Sequence, residues 1–140
     1  MVQIMRAVVT SEKVSIDELI ALVKDEGSGA LVTFTGDVRN HDGGKEVARL
    51  TYEIHPSADE QIKLITQSVL ASFDVVKAAV VHRYGQIPIG QTAFAVAVSS
   101  HHRANAFNAC SALVDEIKLK LPIWKHQVFA DGSDEWVNTA

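Results

Sequence analysis

The sequence predicts an α+β protein with a mixed or antiparallel sheet and about three helices. Strand-like segments outnumber helical ones, and several follow one another directly along the chain. A strict strand–helix alternation would indicate a parallel sheet with helical crossovers, so its absence favours the α+β class. With 140 residues and an even composition, the chain has the size of one domain, which we assign to residues 1–140.

Three segments carry helical signals. Ser15 and Ser57 are each followed three residues later by a glutamate, a pattern that predicts a capping box and the start of a helix. Ser100 is the predicted cap of a third, longer helix that runs to about Leu121, where Pro122 ends it. The core-facing residues of this third helix are predicted to be Ala106, Cys110, Leu113, Ile117 and Leu121.

The strands are indicated by short runs of β-branched and other apolar residues between polar or glycine-containing segments. The predicted strands cover residues 3–10, 30–34, 47–54, 75–81, 93–98, 123–129 and 135–137, and the predicted loops and turns cover 39–45, 85–90 and 131–132.

Composition excludes several classes of protein. The net charge is −4 and no cluster of lysine or arginine dominates any segment, so we expect no nucleic-acid binding. The single cysteine excludes an internal disulfide. No signal peptide is evident, and the apolar stretches are well below the roughly 20 residues that span a bilayer. We therefore expect a cytoplasmic protein that does not interact with membranes.

Metal and nucleophile chemistry have no local signature. The six histidines stand in no zinc-binding pattern, so we predict no metal and no cofactor. Cys110 lies on the apolar face of the third helix, where burial should raise its pKa and leave it unreactive. The chain also has no GxSxG motif and no P-loop lysine.

Five cationic or titratable positions stand out beside helix ends, turns and prolines. They are Arg39 after a buried strand, His102 and Arg103 at the start of the third helix, Lys118 near its end, and Lys125 just after Pro122. Each alone is compatible with a solvated surface charge. Together they predict a site for a phosphate or an oxyanion.

Lys118 is the strongest candidate for chemistry. It follows the core position Ile117 and continues a row of residues at helical spacing from Phe107. Partial burial would lower the pKa of its ammonium group and make it a usable base or nucleophile. Lys125 shares a strand face with Ile123 by alternation and can approach the same cavity from the other side of Pro122.

Five segments, in order along the chain, resemble the large subunit of molybdopterin synthases, also called molybdenum cofactor biosynthesis protein E. The segments are FTGDVR at 34–39, HRYG at 82–85, SSHHR with AF at 99–107, DEIK with PIWK at 115–125, and WV at 136–137. Each motif is weak alone, but five in order at compatible spacing are specific to this family.

The resemblance implies a fold of the α/β-hammerhead type and a sulfurtransferase activity. Family members form a homodimer at the core of a heterotetramer. Each large subunit binds a small ubiquitin-like sulfur carrier whose Gly-Gly terminus bears a thiocarboxylate. The substrate that the resemblance implies is cyclic pyranopterin monophosphate, which in this family receives two sulfurs and becomes molybdopterin.

The resemblance also implies roles for individual residues. Lys118 would be the principal catalytic residue, as a base, an electrostatic stabiliser or a transient acyl acceptor, and Lys125 would assist it. The residues implied in substrate binding are Arg39, His102, Arg103, Asp37, Val38, His126 and Gln127.

Three features depart from the family pattern: Gln127 stands where relatives often have an acid, Asp37 replaces a basic or neutral residue, and the segment after Val137 is short and lacks a basic residue. Two alternative functions remain open. The first is a non-catalytic paralogue that binds a ubiquitin-like tail or a pterin phosphate, and the second is an unrelated protein that binds a small phosphate ligand.

Overall fold

A computed structural model describes all residues from Met1 to Ala140 and contains three helices and nine strands. The helices are α1 (Ile16–Val23), α2 (Ala58–Leu70) and α3 (Arg103–Lys120). The strands are β1 (Gln3–Thr10), β2 (Ala30–Asp37), β3 (His41–Asp42), β4 (Lys45–Ile54), β5 (Lys77–Arg83), β6 (Gly85–Ile87), β7 (Thr92–Ser100), β8 (Ile123–Phe129) and β9 (Asp134–Val137).

The first sheet has four strands in the order β1-β5-β7-β2. β1 pairs with β5 in parallel, whereas β5 with β7 and β7 with β2 are antiparallel, so the sheet is mixed. β5 and β7 occupy its centre, and nearly every residue of β7 is buried. A strand covered on both faces has to be apolar throughout, which explains the continuous run of Ala, Val and Phe in β7.

Helices cover both faces of this sheet. α1 places Leu19 and Val23 against one face in a small cluster with Val81 and Ala95. α2 and α3 pack on the opposite face and form the main core together with the second sheet. None of the three helices is both long and apolar enough to cross a membrane.

The second sheet is antiparallel and runs in the order β3-β4-β8-β9, with β6 also paired to β4. β8 begins immediately after Pro122, which separates it from α3. After Pro122 the backbone of β8 joins the second sheet, where it pairs with β4 from Ile123 to Phe129.

The α+β prediction, the three helices and the long strands agree with the structure. Ser15 and Ser57 occupy the N-cap positions of α1 and α2 as predicted, but neither makes the side-chain hydrogen bond of a capping box. Ser100 is the last residue of β7, and His102 holds the N-cap position of α3 in extended conformation. Pairing with β5 and β2 extends β7 beyond the point at which a local helix signal would end it.

The predicted loop at 39–45 contains a tight hairpin instead. Gly43 and Gly44 both have positive φ, at 57° and 79°, which is the backbone of a two-residue type I′ turn. His41 and Asp42 consequently pair with Lys45 and Glu46 as β3 and β4.

Candidate functional site

A cavity of about 300 Å³ lies where α3, the end of β2 and the β4–β8 pair meet. Its walls carry both apolar and charged side chains. The lining residues are Gly36, Asp37, Val38, Arg39, Leu50, Tyr52, Ala93, Phe94, Lys118, Lys125, Gln127, Thr139 and Ala140.

The paired strands β4 and β8 form one wall of the cavity. Tyr52 lies opposite Lys125, and Leu50 lies opposite Gln127. Because alternate residues of a strand share a face, these four side chains point the same way. Alternation therefore places Lys125 and Gln127 in the cavity, as predicted for Lys125 from the spacing of β8.

The segment after β2 forms the second wall and is held by backbone hydrogen bonds. The Val38 N–H donates to the Gln91 carbonyl at 3.0 Å, and the Gly90 N–H donates to the Val38 carbonyl at 2.8 Å. Asp37 accepts a hydrogen bond from the Thr92 hydroxyl at 2.8 Å. These contacts bring Arg39, the next residue, to the edge of the cavity.

Lys118 approaches from the last turn of α3. Although much of its side chain is exposed, partial burial lowers the pKa of its ammonium group, and the nearby positive charge of Lys125 lowers the pKa further. The predicted direction of this shift is confirmed. The Lys118 ammonium donates a hydrogen bond to the Ala140 carbonyl at 3.1 Å, and the Thr139 hydroxyl donates to the Lys118 carbonyl at 3.2 Å.

Aromatic residues form the floor of the cavity beneath Lys118. The buried His82 ring is stacked on Phe94 at 5.3 Å and lies edge-on to Tyr52 at 4.8 Å between ring centroids. Burial lowers the pKa of His82 to about 4, and the charge of Lys118 acts in the same direction. His82 is therefore neutral at pH 7, and its Nδ1–H donates to the Arg83 carbonyl at 2.8 Å.

Within one chain, three predicted residues do not join this cavity. His102 and Arg103 lie exposed at the start of α3. Because an α-helix rises about 1.5 Å per residue, Arg103 is about 22 Å along the axis from Lys118. His126 lies on the opposite face of β8, where its ring is stacked on Trp136 at 4.2 Å and bonded to Asp134.

Sequence reasoning missed two residues of the cavity lining, Tyr52 and Phe94, and one residue beside it, Asp42. Asp42 bonds both Arg39 and Gln127, at 3.4 and 2.6 Å, and no motif marked it beyond its place before two glycines. Tyr52 and Phe94 were counted only as strand residues, since alternation cannot say which sheet covers which face.

The structure contains no group of three or more His, Cys, Asp or Glu side chains arranged to hold a metal ion. Cys110 is a buried free cysteine, and burial raises the pKa of its thiol to about 11, as predicted. The side chains that meet in the cavity are instead lysine, arginine, carboxylate and amide groups, which suit an anionic organic ligand.

Fold and cavity together define an α+β protein with a cationic pocket between two sheets. Residues 9–120 match the family model described as "MoaE protein". The chain is 37% identical over 127 residues to the "Molybdopterin synthase catalytic subunit" of Pyrococcus abyssi, covering 90% of this chain and 85% of that protein. The chain belongs to the MoaE family.

Other relatives are longer. The Arabidopsis thaliana protein of the same name is 40% identical over 86% of this chain, and the human one is 38% identical over 89%. The chain spans 61% of the length of the Arabidopsis relative and 66% of the human one.

Solved structures agree with the fold. A structure described as molybdopterin synthase from Staphylococcus aureus superposes with a TM-score of 0.85 at 29% identity, covering 94% of this chain and 96% of that chain. One chain in a complex of subunits 1 and 2 of molybdopterin-converting factor from Helicobacter pylori has the same fold, with a TM-score of 0.68 at 20% identity, covering 98% of this chain and 88% of that chain. These similarities confirm the predicted fold type.

Proposed function

We propose that this chain, as one domain over residues 1–140, is the catalytic subunit of a molybdopterin synthase. It would convert cyclic pyranopterin monophosphate to molybdopterin with sulfur from the thiocarboxylated terminus of a small ubiquitin-like partner. The observation that carries the proposal is the meeting of Arg39, Lys118 and Lys125 in one cavity, from three separate parts of the chain. The names of the relatives support the same activity.

The reaction accounts for three cations in one cavity. Attack by sulfur on the pterin opens the cyclic phosphate, and the oxygen that leaves carries new negative charge. When water attacks the acyl carbon that remains on sulfur, a tetrahedral oxyanion forms; its collapse breaks the carbon–sulfur bond, leaves the sulfur on the pterin and frees the small subunit as a carboxylate. Preorganised positive groups stabilise both charges more effectively in a partly dry cavity than in water.

Lys118 is the proposed catalytic residue, because partial burial and the charge of Lys125 lower the pKa of its ammonium, which therefore exchanges a proton more readily than a lysine surrounded by water. Lys125 and Arg39 are proposed to hold the substrate anion from the β8 and β2 walls. Asp37, Val38 and Gln127 complete the walls.

The remaining substrate-binding residues require a second copy of the chain. Arg103 is about 22 Å from Lys118 along α3, and His102 precedes Arg103, so one small ligand does not span the distance. We propose that the chain forms a homodimer in which the partner subunit presents its helix start to this cavity. His126 stays a proposed binding residue, on the outer face of β8.

We further propose that the small subunit docks beside the end of α3 and completes a heterotetramer. Leu119, next to Lys118, is 76% exposed and offers an apolar contact at the rim. The Helicobacter structure supports a two-subunit assembly for its own protein.

The test combines the purified chain, a thiocarboxylated small subunit and the cyclic pterin. Formation of the dithiolene product supports the enzyme. Binding of the partner tail without product contradicts it and favours the non-catalytic paralogue. The chain alone, or with a partner that lacks the thiocarboxylate, serves as the control.

A further inference from the structure

Asp42 lies outside the cavity lining but contacts two residues that form it. The type I′ turn at Gly43 and Gly44 folds β3 back onto β4 and thereby directs Asp42 toward β8. Its Oδ1 lies 3.4 Å from Nη2 of Arg39, and its Oδ2 accepts a hydrogen bond from Nε2 of Gln127 at 2.6 Å. One carboxylate therefore links the β2 wall to the β8 wall.

Gln127 is a rigid anchor for this link. It is 3% exposed and lies within β8, two residues after Lys125 and on the same face. Because a carboxylate only accepts hydrogen bonds, the NH₂ group of the amide must face Asp42. The short contact thus holds the carboxylate in one place.

The side chain of Arg39, in contrast, makes few contacts within the chain. Its side chain is 64% exposed, and Asp42 is its only hydrogen-bond and ion-pair partner within the chain. A long side chain that is free in solvent loses rotational entropy when it binds a ligand. Contact with Asp42 restricts the guanidinium before the ligand arrives.

Asp42 stays ionised in this setting. The hydrogen bond from Gln127 lowers the pKa of the Asp42 carboxyl, and the positive charges of Lys125 and Arg39 lower the pKa further. Asp42 thus keeps a negative charge beside the cations of the proposed anion site. By charge alone, this carboxylate should repel an anionic ligand and weaken its binding.

We propose that Asp42, anchored by Gln127, is a positioning residue that holds the Arg39 guanidinium at the cavity wall and so increases the affinity for the substrate phosphate. The proposal rests on the proposed function, since it assumes that the cavity binds a phosphate. It also gives Gln127 a reason to be an amide: a carboxylate at that position would repel Asp42.

A role of Asp42 through its charge alone and a role in positioning Arg39 predict opposite changes in phosphate affinity when Asp42 is substituted. Asp42→Asn removes one negative charge but retains an oxygen that can accept from Gln127. If Asp42 acted only through its charge, the variant would bind anions more tightly. If it positions Arg39, losing one charge-assisted contact should weaken binding by about tenfold.

The probe is inorganic phosphate, titrated into the full-length chain by calorimetry at fixed ionic strength. Asp42→Asn is compared with wild type and with two matched variants. Asp37→Asn removes a charge in the cavity wall that does not contact Arg39 and should tighten binding slightly. Asp17→Asn removes the same charge from the exposed first turn of α1 and should change nothing.

A double variant that exchanges the carboxylate and the amide keeps the total charge and separates the effect of charge from that of the hydrogen bond. Asp42→Asn combined with Gln127→Glu exchanges the carboxylate and the amide across the same hydrogen bond. The double variant should recover phosphate affinity to within about threefold of wild type, whereas Gln127→Glu alone should weaken binding because two carboxylates then face each other. In the complete reaction, Asp42→Asn should raise KM for the cyclic pterin with little change in kcat.

Tighter or unchanged phosphate binding by Asp42→Asn overturns the positioning role, and so does weakening without recovery in the double variant. Failure of the proposed function gives a different result: the wild-type chain itself then binds no phosphate or forms no product.

Discussion

The two ends of α3 both carry cations, but in opposite settings. At the start, Arg103 is exposed and lies at the positive end of the helix dipole, where a cation is unfavourable without an anion beside it. Near the end, Lys118 lies where the dipole favours a cation, and it is partly buried and bonded to Ala140. One end of α3 therefore lines a cavity of its own chain, whereas Arg103 at the other end is exposed and lies outside that cavity.

This comparison teaches that residue type alone does not indicate a role. The C-terminal end becomes a candidate catalytic site because β8 folds back beside it after Pro122. At the N-terminal end Arg103 is exposed, and its proposed role requires another molecule.

The largest expected effect is at the C-terminal end. Lys118→Ala should reduce product formation by at least about 100-fold, the usual contribution of a positioned acid or base. Lys120→Ala is the matched control, since Lys120 is two residues away and pairs with Glu116 in solvent at 2.7 Å. Rates are measured with the thiocarboxylated partner, and partner binding is measured separately. Full activity of Lys118→Ala would refute its catalytic assignment.

A smaller effect is expected at the N-terminal end. Arg103→Ala should reduce activity by about tenfold, as for one lost charge-assisted contact. If the contact comes from the partner subunit, mixing equal amounts of Arg103→Ala and Lys118→Ala chains restores one intact site in each mixed dimer. With random mixing, about a quarter of all sites should then be active.

Activity after mixing is compared with that of each variant alone, after exchange of subunits under mild denaturant. No recovery in confirmed mixed dimers would mean that Arg103 does not act across the dimer. A strict monomer at micromolar concentration, by light scattering, would contradict the dimer itself.

The stability of the protein should depend on pH through His82, which lies beneath the C-terminal end of α3. Burial lowers the pKa of His82 to about 4, so between about pH 6.5 and 4 the unfolded chain binds a proton that the folded chain does not. The free energy of unfolding should therefore fall as pH decreases through this range, by up to roughly 3 kcal/mol. Urea unfolding at several pH values measures it. His82→Phe should reduce the slope, and the exposed variant His41→Phe should retain it.

The smallest effect on activity is expected in the middle of α3. Cys110 packs in the core with its pKa raised to about 11, so Cys110→Ala should keep full activity and lose about 1 kcal/mol of stability. In the native protein its thiol should resist a disulfide reagent that reacts rapidly after unfolding. Rapid native reaction would show that this part of the helix opens.

Much of the fold could be predicted from local pattern. Periodicity predicts the core residues of α3 and the strand character of β7, because apolar residues must avoid water. Pro122 predicts the start of β8, because proline ends the preceding helix. The hairpin at 41–46 was missed, since its strands are short and polar and only the paired positive φ angles of Gly43 and Gly44 create it.

By itself, the sequence determined which side chains are candidates for anion chemistry, because lysine and arginine charges and the stop at Pro122 are local properties. Only the tertiary structure decided which of them meet. Arg39, Lys118 and Lys125 converge because the β4–β8 register and the packing of α3 are set by contacts between distant segments. Arg103 and His126 are excluded from the cavity of their own chain by helix length and strand alternation.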